Sequence, residues 1–200
     1  IGDENSTMRV PRHFTESEEI RNFLYLSNLI PQKGLLDFIE FAKYCVTDLK
    51  FVKFTVIGPI VDKNFYETAF KLICNYGLGD KFEFLGFVGG KRKYDRLANS
   101  DFLIFPSHYK EAQPMVILES LSVGTPVVAY DIPGIRDVIQ DGINGFVTEP
   151  NPRCILESIK SIVNNETEMN SLRTKTKQFF NLHFSPELFE NNWLKLIIES

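Results

Sequence analysis

Residues 106–129, PSHYKEAQPMVILESLSVGTPVVA, decide how the rest of the chain is read. Pro114 marks a helix start, and the stretch from Pro114 to Val123 reads as helix. A helix N-terminus presents free backbone N–H groups and a partial positive charge, which suits phosphate. Glu111 lies just before that helix and Glu119 within it, so a carboxylate stands on either side of those amides. Glu119 has apolar neighbours, where a decorative charge is poorly placed. Anion-binding amides bracketed by two hydroxyl acceptors are what a nucleotide-diphosphate sugar requires.

Outward from this stretch, short apolar strands alternate with helical runs. Strands are expected at 23–27, 54–58, 82–86, 102–105, 126–129 and 145–147. Between them, helices are expected at 35–46, 64–76 and 94–99, besides the one from Pro114. Apolar strands each followed by a helix imply a parallel sheet covered on both faces. Right-handed crossovers make this an α/β, doubly wound, Rossmann-like sheet of about six strands. Ligands in such sheets bind beyond the carboxyl ends of the strands. Lys33, Gly58, Gly86, Ser107 and Glu111 all fall just after strands, on that one edge. Residues 1–20 read as a linker or crossing segment, 21–150 as the nucleotide-sugar-binding domain, and 151–200 as a helical extension. Three helices are expected in that extension, at 155–163, 169–180 and 186–198, the last with Phe189 and Trp193 on one apolar face.

The formal net charge is −4 and no basic stripe runs along a face, so nucleic acid is not the expected partner. Lys91, Arg92 and Lys93 read as a solvated helix start that leaves room for transient contact with a membrane surface. Cys45, Cys74 and Cys154 are far apart among apolar residues and read as reduced core thiols in a reducing compartment, neither a disulfide framework nor a zinc site. No apolar run approaches the ~20 residues of a spanning helix. The start, IGDENSTMRVPRHF, carries neither a signal peptide nor an initiator methionine, and reads as a piece cut from something longer.

In SNLIPQKGLLDFIEFA, Gly34 ends a tight loop and Lys33 sits at the mouth of the following helix, where its point charge can reach a diphosphate. Ser107 and His108 follow the fourth strand, and no carboxylate or second histidine sits beside His108 at metal-ligand spacing in the sequence. GFVGGKRK has only three residues between Gly86 and Gly90 and Arg92 in place of a hydroxyl, so it is not a Walker loop. No Gly-x-Ser-x-Gly elbow or dinucleotide glycine triplet appears, which leaves hydrolase and dehydrogenase readings weak. PGIRDVIQDGINGFVTEP supplies a Gly134 turn near the pocket and two further turns into the last strand.

Glu111, seven residues, then Glu119, with Pro114 between and GTPVVA after, resembles the donor-binding motif of retaining glycosyltransferases of the GT-B architecture. The resemblance runs from Phe23 to Pro150 and is to glycosyltransferase family 4, the "glycosyl transferases group 1" type, with bacterial surface-polysaccharide enzymes among its members. It implies the C-terminal, donor-binding half of a GT-B fold. Lys33 matches a diphosphate-binding lysine, whereas Asn28 stands where the family has an arginine. Glu111 is implied to contact the transferred sugar, and the backbone of Ala112, Gln113, Pro114, Met115 and Val116 to line sugar and phosphate. Gln113 replaces a frequent aromatic, and Glu119 is implied to accept both ribose hydroxyls. Ser107 and Gly34 complete the implied donor site, with Glu111 and Lys33 as its catalytic pair.

The activity implied is transfer from a UDP- or GDP-sugar to an acceptor hydroxyl with retention, in the cytoplasm or at the inner face of the plasma membrane. No cofactor or metal is expected. The acceptor site is implied to lie in an N-terminal domain that two hundred residues do not hold, so this chain alone is expected to bind donor nucleotide weakly and catalyse nothing. Two other readings stand beside it: a sugar-nucleotide epimerase with His108 as its visible acid–base group, and a catalytically silent binding or scaffolding module.

Overall fold

The computed structural model describes residues 20–110 and 114–185. The segment expected as a linker, up to residue 19, and the expected last helix at 186–198 lie outside the described residues. So do Phe189 and Trp193.

Six strands form one parallel sheet: β1 (Arg21–Leu26), β2 (Val52–Ile57), β3 (Phe82–Phe84), β4 (Phe102–Phe105), β5 (Val127–Tyr130) and β6 (Gly145–Thr148). Their spatial order is β3-β2-β1-β4-β5-β6, every pairing parallel. The expected doubly wound sheet is therefore present. After β1 the chain moves outward to β2 and β3, then returns so that β4 pairs with β1 on its other edge. Loops leaving β1 and β4 consequently diverge, and the crevice between them is the topological switch point where such sheets bind ligands.

The helices are α1 (Leu35–Asp48), α2 (Lys63–Asn75), α3 (Gly90–Ala98), α4 (Met115–Ser122), α5 (Pro152–Ile159) and α6 (Glu166–His183). Side chains alternate across the strands, so the sheet separates two cores, with β3 contributing only to the first. Phe23, Tyr25, Phe54, Ile104 and Tyr130 face α1, α2 and α5. Leu24, Leu103, Phe105, Val127 and Ala129 face α3 and α4. The first core is aromatic at its centre: Phe54 lies between Phe23 and Phe82, with ring centroids at 5.7 and 5.1 Å. Asp62, Asn151 and Asn165 cap α2, α5 and α6 by accepting backbone N–H bonds, as short polar side chains do at helix starts.

Two expectations change. α3 begins at Gly90, four residues before the expected start, so Lys91, Arg92 and Lys93 are helical. Of the three cysteines only Cys45 is a core thiol; Cys154 is half-buried and Cys74 is exposed. On α2 the buried stripe is Phe65, Ala69 and Ile73, and Cys74 is one residue, about 100° of helix rotation, beyond it.

α5 is tied to the end of α1 by Asp48, which accepts from Lys160 at 2.7 Å and from Arg153 at 3.4 Å. The Lys160 hydrogen bond, and then its charge and that of Arg153, holds the Asp48 carboxyl below its ordinary range. A depressed carboxyl pKa adds stability above the unfolded value, about 3.9, and loses it as the pH falls through the folded value. Asp48→Asn is therefore expected to lower the thermal midpoint at pH 5–8, the gap from wild type closing on acidification below about pH 4. A gap that persists unchanged into acid would show that Asp48 acts otherwise than by its charge.

Candidate functional site

The site grows from the carboxyl ends of β1, β2 and β4. Beyond β1, residues 27–34 turn back through a single 3-10 turn at Pro31–Lys33 into α1. Gly34 takes φ 76°, and a Cβ there would lie 1.8 Å from the Pro106 carbonyl oxygen. The residue must therefore be glycine on two counts, the left-handed backbone and the close approach of the β4 loop. Gly58 plays a similar part beyond β2: a Cβ would lie 1.7 Å from the Ser27 carbonyl oxygen. These contacts draw the loops after β1, β2 and β4 together.

A cavity of about 400 Å³ opens above them. Its walls are the β1 loop with Asn28 and Lys33, the β2 loop with Gly58, the segment Phe87–Gly89, and the start of α4 with Pro114, Met115, Val116 and Glu119. No described side chain caps α4, and its first residues line this space. Lys33 extends over the Tyr109 ring, 4.8 Å from its centroid. Asn28, Lys33, Pro114, Met115, Val116 and Glu119, expected in one donor site, thus share one cavity. Ser107 does not line it: the side chain is buried, and its Oγ accepts from the Tyr109 N–H at 3.2 Å, shaping the β4 loop. Gly34 also lies beneath the cavity rather than on its wall. Glu111, Ala112 and Gln113 lie outside the described residues.

Three features were not legible as a site. Lys93, expected to be solvated, reaches from α3 to Glu119 on α4, Nζ to Oε1 at 2.5 Å, and lines the cavity. Phe87 stands on the cavity rim, 80% exposed. His108, read from the sequence as a lone loop histidine, meets Asp37 from the first turn of α1, Nε2 to Oδ2 at 2.7 Å. Its backbone N–H also donates to the Gln32 carbonyl at 2.9 Å. His108 therefore stitches the Lys33 loop to the β4 loop at two points. Its ring centroid lies 5.3 Å from that of Tyr130, whose phenol pKa is pushed up by burial and then by the Asp37 charge. Among the described residues, no group of three or more His, Cys, Asp or Glu stands close enough to hold a metal ion. None of the described helices is long and apolar enough to cross a membrane.

Gly134, expected near the pocket, lies in a separate recess with Asp131, Pro133, Arg136 and Asp137. The turns after it are held by Asn144, buried, which accepts from the Gln140 N–H and donates to the Val138 carbonyl.

A family profile described as "Glycosyl transferases group 1" matches residues 10–179. An uncharacterized glycosyltransferase of Methanocaldococcus jannaschii is 29% identical over 161 residues, 78% of this chain and 42% of that protein. The N-acetyl-alpha-D-glucosaminyl L-malate synthase of Bacillus anthracis is 30% identical over 135 residues, 68% of this chain and 33% of that protein. The chain spans less than half the length of these curated relatives. In fold, it is similar to Anabaena HepE crystallised with UDP and glucose, at TM-score 0.80 and 20% identity over 90% of this chain and 49% of that one. It is similar also to the C-terminal domain of a glycosyl transferase group 1 protein, LpcC, from Francisella tularensis: TM-score 0.74, 19% identity, 83% of this chain and 87% of that one.

Proposed function

This chain belongs to the glycosyl transferases group 1 family, as the C-terminal half of a GT-B enzyme, and on that premise we propose that its cavity holds the donor for a retaining sugar transfer. The donor is a UDP- or GDP-sugar. One observation carries the reading: Lys33, the N-terminal end of α4 and Glu119 converge on a single cavity at the switch point of the sheet.

Each group then has a task set by its chemistry. Lys33 and the α4 amides face the diphosphate, a point charge and a helix dipole acting on one leaving group. Glu119 accepts the ribose hydroxyls, and Glu111 orients the sugar and favours positive charge at its anomeric carbon. The acceptor hydroxyl bonds to the anomeric carbon as the bond to diphosphate breaks, and its proton passes to the departing diphosphate on the same face. No metal has a part in this scheme, because lysine and helix dipole carry the leaving group's charge. Asn28, uncharged, offers the diphosphate one hydrogen bond where the family has a cation.

The nucleotide-sugar domain is taken as residues 21–150, with α5 and α6 packed on it. The acceptor site belongs to an N-terminal domain, and the whole enzyme works in the cytoplasm, peripherally at the membrane, in polysaccharide or glycolipid synthesis. Calorimetric titration of this chain with UDP, GDP and ADP tests the reading. One nucleotide is expected to bind selectively, with affinity falling about ten- to hundredfold in Glu119→Ala and in Lys33→Ala. With the matching nucleotide sugar and no partner domain, no transfer product is expected. Absence of binding at millimolar nucleotide, or equal binding by wild type and both variants, would remove the donor-site assignment.

A further inference from the structure

The donor reading leaves one charged group of the cavity without a task. Lys93 stands in the first turn of α3, and its Nζ lies 2.5 Å from Glu119 Oε1. Both side chains are only about one-fifth exposed, at 22% and 20%, and both line the cavity that Lys33 lines. The Tyr94 ring flanks the ammonium, 5.2 Å from its centroid. One turn further along α3, Leu97 is buried in the core beneath and anchors the helix against α4.

We propose that Lys93 and Glu119 act as one unit that reads the ribose diol, Lys93 positioning the carboxylate and donating to a diol oxygen. This rests on the donor-site reading above. The chemistry of the three groups supports it. A carboxylate only accepts hydrogen bonds, an ammonium only donates them, and a hydroxyl does both. A diol held by Glu119 alone would leave its oxygens without a donor; beside Lys93 they have one. Lys93 also occupies Oε1, leaving Oε2 and the remaining lone pairs to accept from the ligand. Lysine suits the task better than arginine, whose planar fork locks both carboxylate oxygens at once. Removing Lys93 also leaves a largely buried carboxylate without its cation and costs stability, so the pair's part in recognition is read from ligand selectivity and not from the thermal midpoint.

The test is titration of the full chain and of Lys93→Met with UDP, GDP and their 2′,3′-dideoxy forms. For the nucleotide that binds, wild type is expected to prefer the ribose form by about tenfold or more. In Lys93→Met the preference, read on the folded protein, falls to within about threefold. Should Lys93→Met fail to fold, Lys93→Arg carries the test: charge is kept, both carboxylate oxygens are engaged, and the preference is lost. Equal weakening of both forms with the preference kept would make Lys93 a diphosphate cation and overturn the proposal. So would an unchanged variant, or a wild type indifferent to the diol. A wild type that binds neither nucleotide is a different result, one that removes the donor-site reading and this proposal together.

Discussion

Gly34→Ala is expected to destabilise the fold by about 2–5 kcal/mol and to abolish nucleotide binding at the cavity. Two costs add. At φ 76° an alanine pays the left-handed penalty, about 1–2 kcal/mol. Its Cβ would also sit 1.8 Å from the Pro106 carbonyl oxygen, well inside contact distance. Both sides of that clash are backbone, so no rotamer relieves it. Either the β4 loop retreats or the start of α1 lifts, and overpacking of this kind costs about 1–3 kcal/mol. Lys33 is the neighbouring residue and must move with the loop, so binding suffers beyond the loss in stability. Urea unfolding of the variant, with nucleotide titration of its folded fraction, checks both parts. A cost under about 1 kcal/mol with binding intact would mean that the two loops are not in contact in solution.

Phe54→Ala is expected to cost about 3–5 kcal/mol, the range for an aromatic removed from a filled core. Phe54 is fully buried on β2. Its ring stacks on Phe23 and Phe82 and meets Phe38 and Phe41 edge-on, with centroids at 5.8 and 6.2 Å. Its five-ring cluster joins β1, β2, β3 and α1, so relaxation around the void would have to move several elements at once. Phe54 points away from the α3–α4 face and does not line the cavity. Nucleotide affinity of the folded variant should therefore stay near wild type while the urea midpoint drops. A loss under about 2 kcal/mol would show that the rings close over the gap.

The sheet was legible because each strand is a short apolar run closed by a glycine, proline or polar turn. β4, at Phe102–Phe105, coincides with its expected span, and the other strands end within two residues of theirs. The apolar pattern of α3 sets in only at Tyr94, so its body is placed there, while Lys91, Arg92 and Lys93 read as its solvated start. What the local pattern omits is the carboxylate on α4 that gives Lys93 a partner 26 residues away. The same blindness to distance hid the His108–Asp37 pair, whose members are 71 residues apart. Cys74 failed for a smaller reason: apolar neighbours in sequence do not fix the side of a helix on which a residue falls. Asn28, Lys33, Pro114 and Glu119 were legible as a cluster because all are tied to strand ends or to a helix start that faces the switch point.

The stitching of the Lys33 loop has a consequence for what a ligand must do on arrival. The Lys33 N–H donates to the Ile30 carbonyl, the Gly34 N–H to the Pro31 carbonyl, and the His108 N–H to the Gln32 carbonyl. Asp37 holds the His108 ring, and Pro106 closes against Gly34. The backbone of this loop has therefore lost its conformational entropy when the chain folds, before any ligand is near. What is left to order on association is the side chains, about 0.5–1.5 kcal/mol for each long one that becomes fixed. A backbone frame arranged in advance lets weak individual contacts add up to usable affinity, because little of their energy goes into arranging the protein.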